Sequence, residues 1–141
     1  MVMIKYLLDT NVISELAKSV PNKTVVEKFK KYRHQIAIAA PVWHELLYGC
    51  CRLPVSRKRD AIESFLNNVV KPYLAVLPYD LKSAEWHASE RARLSLIGQI
   101  PSFTDGLIAS ISAANRLILV TRNIHDFEMF SGLKIENWHE I

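Results

Sequence analysis

The sequence predicts an α/β fold in which helices cover both faces of a mainly parallel sheet of four to five strands. The first observation behind this prediction is that short apolar segments alternate along the chain with longer amphipathic ones. The second is that the short segments are largely apolar throughout, which is typical of strands buried on both faces. Strands and helices that alternate in this way indicate a parallel sheet with helices on both sides.

The first predicted strand is the apolar run from Ile4 to Leu8, which ends at Asp9. A short apolar run of this kind predicts a buried strand. The other segments predicted as strands are Ile36 to Ala39, Ala75 to Leu77, Leu117 to Val120 and, as a candidate fifth, Lys134 to Glu136.

Helices are predicted between these strands from apolar spacing and from residues that start or stop a helix. Apolar residues between Ile62 and Val70 follow the i, i+3, i+4, i+7 spacing of an amphipathic helix. Pro41 favours the first turn of a helix, and Gly98 is a suitable C-cap. The predicted helices are Val12 to Lys18, Val25 to Tyr32, Pro41 to Cys50, Ile62 to Val70, Asp80 to Leu96 and Ser102 to Ala114.

The composition predicts one domain spanning residues 1–141. The chain has 141 residues, of which 50% are hydrophobic and 23% charged. These values exclude a disordered chain, a collagen-like repeat and a disulfide scaffold. No apolar run approaches the roughly 18–20 residues of a membrane span, and Asp9 comes too early for a secretory signal. We therefore expect a cytoplasmic protein that does not associate with membranes.

The two cysteines, Cys50 and Cys51, are adjacent and cannot staple the fold. We interpret both as reduced thiols on a helix and assign them no function. Because no CxxC or HxxxH spacing is present, a zinc site is not expected. The net charge of +4 suits an anionic partner such as a nucleic acid, but a solvated basic surface explains it equally simply.

Four acids stand where an α/β sheet binds ligands, since such sheets bind at the carboxyl ends of their strands. Asp9 ends the first strand, although a plain helix cap would also place it there. Glu45 borders the apolar stripe of the third helix. Gly49 lies one turn further along the same side. A glycine inside a helix costs about 1 kcal/mol against alanine, so we expect a close approach there.

The other two acids lie in the second half of the chain. Asp105 opens the last helix, and with Ser102 it matches a capping box. The helix dipole favours an anion at that place, and capping leaves other lone pairs free for a metal. Asp126 follows the fourth strand within a segment that a local turn also explains. Glu128 is a nearby substitute for it.

Carboxylates that converge at strand ends repel one another by about 4 kcal/mol at 4 Å and an effective dielectric of 20. A divalent cation would neutralise such a cluster. Ligands that are mainly hard oxygens select Mg²⁺ or Mn²⁺.

The motifs around these acids resemble those of a known family. Residues 7–14 (LLDTNVIS) resemble the opening of PIN-domain proteins and, among them, the toxin ribonucleases of the VapC type. The segments similar to the later motifs are 43–49 (WHELLYG), 101–109 (PSFTDGLIA), 119–127 (LVTRNIHDF) and 132–138 (GLKIENW). Each motif is weak alone. Together they span nearly the whole chain in the family's order.

The resemblance implies a three-layer α/β/α sandwich and an endoribonuclease that uses Mg²⁺ or Mn²⁺. It also implies an antitoxin encoded alongside and toxin dimers within that complex. The acids it assigns to catalysis and metal binding are Asp9, Glu45, Asp105 and Asp126. The residues predicted to support them, with simple capping as the alternative, are Thr10, Asn11, Thr121 and Asn123. Arg122 is a candidate for phosphate contact, and Arg91 and Arg93 are among the candidates for the RNA surface.

Other functions remain open. A phosphoryl-transfer enzyme could use Asp9, but the phosphatase pattern needs an aspartate where Asn11 stands. A receiver needs a late lysine, for which Arg122 is a poor substitute. A non-catalytic binding module could keep the same fold, and a DNA-directed nuclease could use the same metal chemistry.

Overall fold

The structure is a computed structural model that describes residues 3–140. Its five strands form one sheet in the order β3-β2-β1-β4-β5, and each neighbouring pair is parallel. The strands are β1 (Tyr6–Leu8), β2 (Ile36–Ala39), β3 (Ala75–Leu77), β4 (Ile118–Val120) and β5 (Lys134–Glu136). The α/β prediction is confirmed, and the candidate fifth strand is present.

Helices cover both faces of this sheet and give three layers, α/β/α. They are α1 (Thr10–Leu16), α2 (Lys23–Tyr32), α3 (Ala40–Cys51), α4 (Arg57–Phe65), α5 (Leu81–Leu96) and α6 (Phe103–Ala114). The predicted fourth helix, Ile62 to Val70, begins earlier in the structure because Ser56 caps it. The Ser56 hydroxyl accepts a hydrogen bond from the Arg59 amide at 3.1 Å. Beyond Phe65 the helix continues as a π-helical turn, Leu66–Val70.

The burial of the strands follows from their place in the sheet. The central strands β1 and β2 are buried along their whole length, as expected for parallel strands with helices on both faces. At the edge, Ala75 and Val76 of β3 are exposed. Among the largest fully buried side chains is Trp138, just beyond the other edge strand β5. Within residues 3–140, no helix is both long and apolar enough to cross a membrane.

The order of the strands sets the place of a site. From β1 the chain moves to β2 and then β3 on one side, whereas β4 and β5 lie on the other side of β1. The connection therefore reverses between β1 and β4. In open α/β sheets the crevice at such a switch point, at the carboxyl ends of the strands, is where ligands bind. Asp9 follows β1 there, and Thr121 follows β4.

Candidate active site at the switch point

Asp9 is fixed by both of the strands that flank the switch point. Its backbone amide donates to the Val120 carbonyl at 2.9 Å and continues the pairing of β1 with β4. Its side chain caps α1, since Oδ1 accepts the Thr10 amide at 2.8 Å. Oδ2 accepts the Thr121 hydroxyl at 2.9 Å and the Asn11 Nδ2 group at 3.4 Å. Only 7% of the residue is exposed, so this carboxylate is held in a single place.

The predicted supporting residues form the network that joins the two loops. The buried Thr121 hydroxyl also accepts the Asn123 amide at 3.0 Å. The Asn11 Oδ1 atom accepts the Arg122 amide at 3.1 Å. Asn11 and Thr121 therefore act through their side chains, whereas Thr10 and Asn123 contribute backbone amides. The Arg122 side chain belongs to an exposed residue beside this network.

Asp105 lies in the first turn of α6 and is half-buried. Its backbone amide donates to the Ser102 hydroxyl at 3.1 Å, which is the Ser102 half of the predicted capping box. Burial raises the pKa of the Asp105 carboxyl. A hydrogen bond with Ser102 lowers that pKa, and the negative charge of Asp126 raises it. Asp105 thus combines helix capping with a carboxyl that has an acidic neighbour.

Asp9 has a raised pKa for the same physical reasons. Burial is the largest cause, and the hydrogen bonds from Thr10 and Thr121 oppose it. The charges of Asp105 and Asp126 raise the pKa of Asp9 further. The charges that shift the pKa of these two carboxyls are those of acids, so like charges act on one another at the switch point.

Asp126 and Glu128 have different surroundings. Asp126 ends the short 3₁₀ turn Ile124–Asp126 and is exposed. It is the acid whose charge acts on both Asp9 and Asp105. Glu128 instead pairs with His125, with 2.7 Å between Nδ1 and Oε1. Of these two acids, Asp126 acts on Asp9 and Asp105 through its charge, whereas Glu128 is paired with His125.

Glu45 stands apart from these three acids. It lies on α3, is exposed, and is not a cause of the pKa shift at Asp9 or Asp105. Together with Thr10 it lines a groove of about 720 Å³ between α1, α3 and α4. The prediction of a close approach at Gly49 is wrong, because a Cβ atom at this position would have no neighbouring atom of another element within 4 Å. The glycine opens the groove and does not mark a tight contact.

The donor atoms fit a hard divalent cation, because all of them are carboxylate oxygens. As the side chains stand, no group of three or more His, Cys, Asp or Glu residues within 3–140 is arranged to hold a metal ion. Burial is the main cause of the raised pKa values of Asp9 and Asp105, and repulsion from acidic neighbours raises them further. A cation that drew the carboxylates inward would relieve that repulsion.

The sequence reasoning missed a set of interactions on α5. Arg93, a predicted candidate for the RNA surface, instead donates to Glu90 from Nε at 2.8 Å and Nη2 at 3.0 Å. It also donates to the Met129 carbonyl at 2.9 Å. Glu90 accepts the Ser131 amide as well. The i, i+3 spacing of Glu90 and Arg93 was the available signal. Their contact with the segment that follows Asp126 could only be seen in three dimensions.

Comparison with known proteins places the chain in a family. The PIN domain profile matches residues 6–131. VapC ribonuclease Y4jK of Sinorhizobium fredii is 33% identical over 134 residues, which are 93% of this chain and 95% of that protein. The tRNA(fMet)-specific endonuclease VapC of Salmonella typhimurium is 31% identical over 137 residues, which are 96% of this chain and 99% of that protein.

A solved structure agrees with this assignment. DNA-bound VapBC from Salmonella typhimurium has a TM-score of 0.85 and 29% identity, over 96% of this chain and 99% of that one. The family profile spans the segment that contains Asp9, Glu45, Asp105 and Asp126. The chain therefore belongs to the PIN domain family and is a relative of the VapC ribonucleases.

Proposed function

We propose that this protein is a Mg²⁺- or Mn²⁺-dependent endoribonuclease and the toxin of a type II toxin–antitoxin pair. The observation that carries the proposal is the buried Asp9 at the switch point, whose pKa is raised by burial and further by the charges of Asp105 and Asp126. A buried or half-buried acid with a raised pKa in a crevice is typical of a functional site. The names of the relatives support RNA as the substrate.

In this mechanism Asp9 and Asp105 would hold the cation directly. When bound, a divalent cation polarises the phosphoryl oxygen and lowers the pKa of water, which makes a nucleophile near neutral pH. The Thr121 hydroxyl keeps Asp9 Oδ2 in place. Asp126 would orient the attacking water and accept its proton, and Glu45, which is exposed on α3, would act through a bound water. The exposed Arg122 contacts the phosphate, because its backbone is fixed by Asn11 beside the site.

The residues around Asp9 disfavour phosphoryl transfer to it. The phosphatase pattern needs a second aspartate where Asn11 stands, and the Asn11 side-chain amide donates to Asp9 Oδ2 at 3.4 Å. A non-catalytic binding module would have no use for acids that repel one another, so the nuclease is the better account of their cost.

We also propose an antitoxin partner and a toxin dimer, in line with the VapBC assembly among the solved relatives. The groove between α1, α3 and α4 offers the antitoxin a binding place, since its walls include Ile13, Leu46 and Phe65 and reach Glu45. Light scattering should therefore give twice the mass of one chain for the isolated protein. It should give a larger complex with the product of the adjacent gene. A protein that is monomeric and does not bind that product would contradict both the proposed dimer and the proposed antitoxin partner.

Cleavage of end-labelled tRNAs and other structured RNAs tests the nuclease. We expect discrete cuts with Mg²⁺ or Mn²⁺ that disappear with EDTA. Loss of an outer partner of a metal ligand typically costs 10–100-fold, so Asp105→Asn should cost more than about a hundredfold. Cutting that survives EDTA or Asp105→Asn would refute the proposal. A matched DNA substrate and 2′-deoxy substitution at the cut site test whether RNA is required.

The same assay separates the candidate fourth acids. Asp126→Asn should lower the rate by about tenfold or more, because it removes the charge next to Asp9 and Asp105. Glu128→Gln is the matched control, since it neutralises an acid two residues away that pairs with His125. It should leave the rate close to that of the wild type. The reverse order would assign the role to Glu128.

A further inference from the structure

His87 lies on α5, with its ring against the first turn of α6. The residue is 4% exposed. Its Nδ1 atom is 3.0 Å from the Tyr79 hydroxyl. The centroid of its ring is 5.1 Å from that of Phe103, the first residue of α6. Burial lowers the pKa of the imidazole, and the charge of Arg91 lowers it further; the contacts of the ring with Phe103 and α6 are packing contacts.

Gly106 is the place where this ring meets α6, and it directly follows Asp105 in the chain. A Cβ atom at Gly106 would collide with His87 Nε2 and would lie 3.0 Å and 3.1 Å from two ring carbons. No side chain fits between the ring and the helix backbone. Glycine is unfavourable inside a helix compared with alanine, so the contact with His87 accounts for a residue that helix propensity alone disfavours.

We propose that His87 is a positioning residue that fixes Asp105 in the site by packing its ring against the bare backbone of Gly106. The ring is held by the Tyr79 hydroxyl at Nδ1, and it packs against Phe103 and the backbone of Gly106. The backbone of Gly106 is thus pressed against a fixed surface, and the carboxylate one residue earlier keeps its place relative to Asp9. The inference rests on the proposed function, because it concerns the geometry of that metal site.

Four variants test this contact in pairs: Gly106→Ala, His87→Ala, the double variant and the milder Tyr79→Phe. Gly106→Ala should weaken Mn²⁺ binding, measured by calorimetry, and lower kcat by about tenfold or more with little change in KM, because small displacements at a site are costly. The double variant should be no worse than His87→Ala, since the methyl group then meets no ring. Tyr79→Phe keeps the ring and removes one hydrogen bond, so its loss should be smaller.

Leu94→Ala is the matched control. Leu94 is on the same helix, seven residues beyond His87, and is 1% exposed, so its truncation destabilises the fold about two turns away from the contact of His87 with Gly106. Measured where the protein remains folded, this variant should keep the wild-type affinity for Mn²⁺ and the wild-type kcat. Equal losses in Leu94→Ala and His87→Ala would overturn the proposal. Wild-type Mn²⁺ affinity in Gly106→Ala would overturn it as well.

A failure of the proposed function gives a different result. In that case the wild type itself would neither bind Mn²⁺ nor cut RNA. Urea unfolding of the metal-free single and double variants needs neither property and still measures the coupling between His87 and Gly106. If the two substitutions act independently in that cycle, the contact does not constrain α6 and the positioning role is wrong.

Discussion

Two groups of largely buried carboxyls in this fold differ in the direction of their pKa shifts. At the switch point, burial raises the pKa of both Asp9 and Asp105, and acidic neighbours raise each further. Away from it, hydrogen bonds with basic side chains lower the pKa of Glu15 and Glu90. The carboxyls of the first group have acidic neighbours, whereas those of the second are paired with basic side chains.

Glu90 and Glu15 join distant parts of the chain. Glu90 links α5 to the segment after Asp126 through Arg93 and the Ser131 amide. Glu15, near the end of α1, accepts Lys18 Nζ and the Asn22 amide, each at 2.9 Å. Its Oε1 atom is 3.4 Å from Nε2 of His139, at the end of the chain. The hydrogen bonds of each carboxylate offset the free-energy cost of burying it.

The difference separates acids whose charge stabilises the folded state from acids whose charge destabilises it. Asp9 accepts hydrogen bonds from Thr10 and Thr121, and the charges that act on it are those of Asp105 and Asp126. An arrangement that destabilises the folded chain is retained where it serves a function, so the direction of the shift distinguishes the two groups. Predictions on stability in the absence of metal test this distinction directly.

The largest expected effect is at Glu90. Replacing Glu90 with alanine removes the partner of Arg93 and leaves the Ser131 amide without its acceptor, so the free energy of unfolding should fall by about 2–3 kcal/mol. Urea denaturation measures this change. Glu85→Ala is the matched control, because Glu85 is an exposed acid on the same helix. It should change stability by less than about 0.5 kcal/mol. If Glu90→Ala and Glu85→Ala lower the free energy of unfolding equally, Glu90 does not stabilise the fold.

Most of the fold could be predicted because each element is marked by local sequence. The bounds of β2, Ile36–Ala39, and β3, Ala75–Leu77, are the predicted ones. The start of α1 was predicted two residues late, because the cap at Asp9 was assigned to the wider turn. The order of the strands has no local mark. It depends on long-range pairing. The general rule for α/β sheets predicted that ligands bind at the carboxyl ends of the strands, but the sequence did not show that β4 lies beside β1.

The candidate site was predictable as a set of acids and less so as a geometry. Asp9, Asp105 and Asp126 act on one another through their charges. Glu45 was predicted from the apolar stripe beside it, from a family motif and from Gly49, where the space is open. The true tight glycine is Gly106. Its partner His87 lies on another helix, and no spacing within one helix could reveal that contact. Interactions between elements, such as that of Arg93 with Met129, were hidden for the same reason.

A smaller effect, of opposite sign, is expected at the switch point. The folded-state pKa of Asp105 is raised above its unfolded value. Its contribution to stability is therefore fully present below the unfolded pKa, about 3.9, and is lost as the pH rises through the folded pKa. In metal-free protein, Asp105→Asn should match the wild type at low pH. Near pH 7 it should melt about 2–4 °C higher, because the group is only half-buried and partly screened.

Glu90→Gln should show the reverse dependence, since the folded-state pKa of Glu90 is lowered. Its carboxylate stabilises the fold above the unfolded pKa, about 4.3, and that contribution is lost as the pH falls through the folded pKa. The variant should therefore melt below the wild type at neutral pH and approach it in acid. Mg²⁺ sharpens the contrast, because a cation bound by the folded chain raises its melting temperature. That rise should persist in Glu90→Gln and vanish in Asp105→Asn. If the metal-free Asp105→Asn protein melts lower than the wild type at pH 7, Asp105 belongs with the acids that hold the fold, and the electrostatic argument for a cation at the switch point fails.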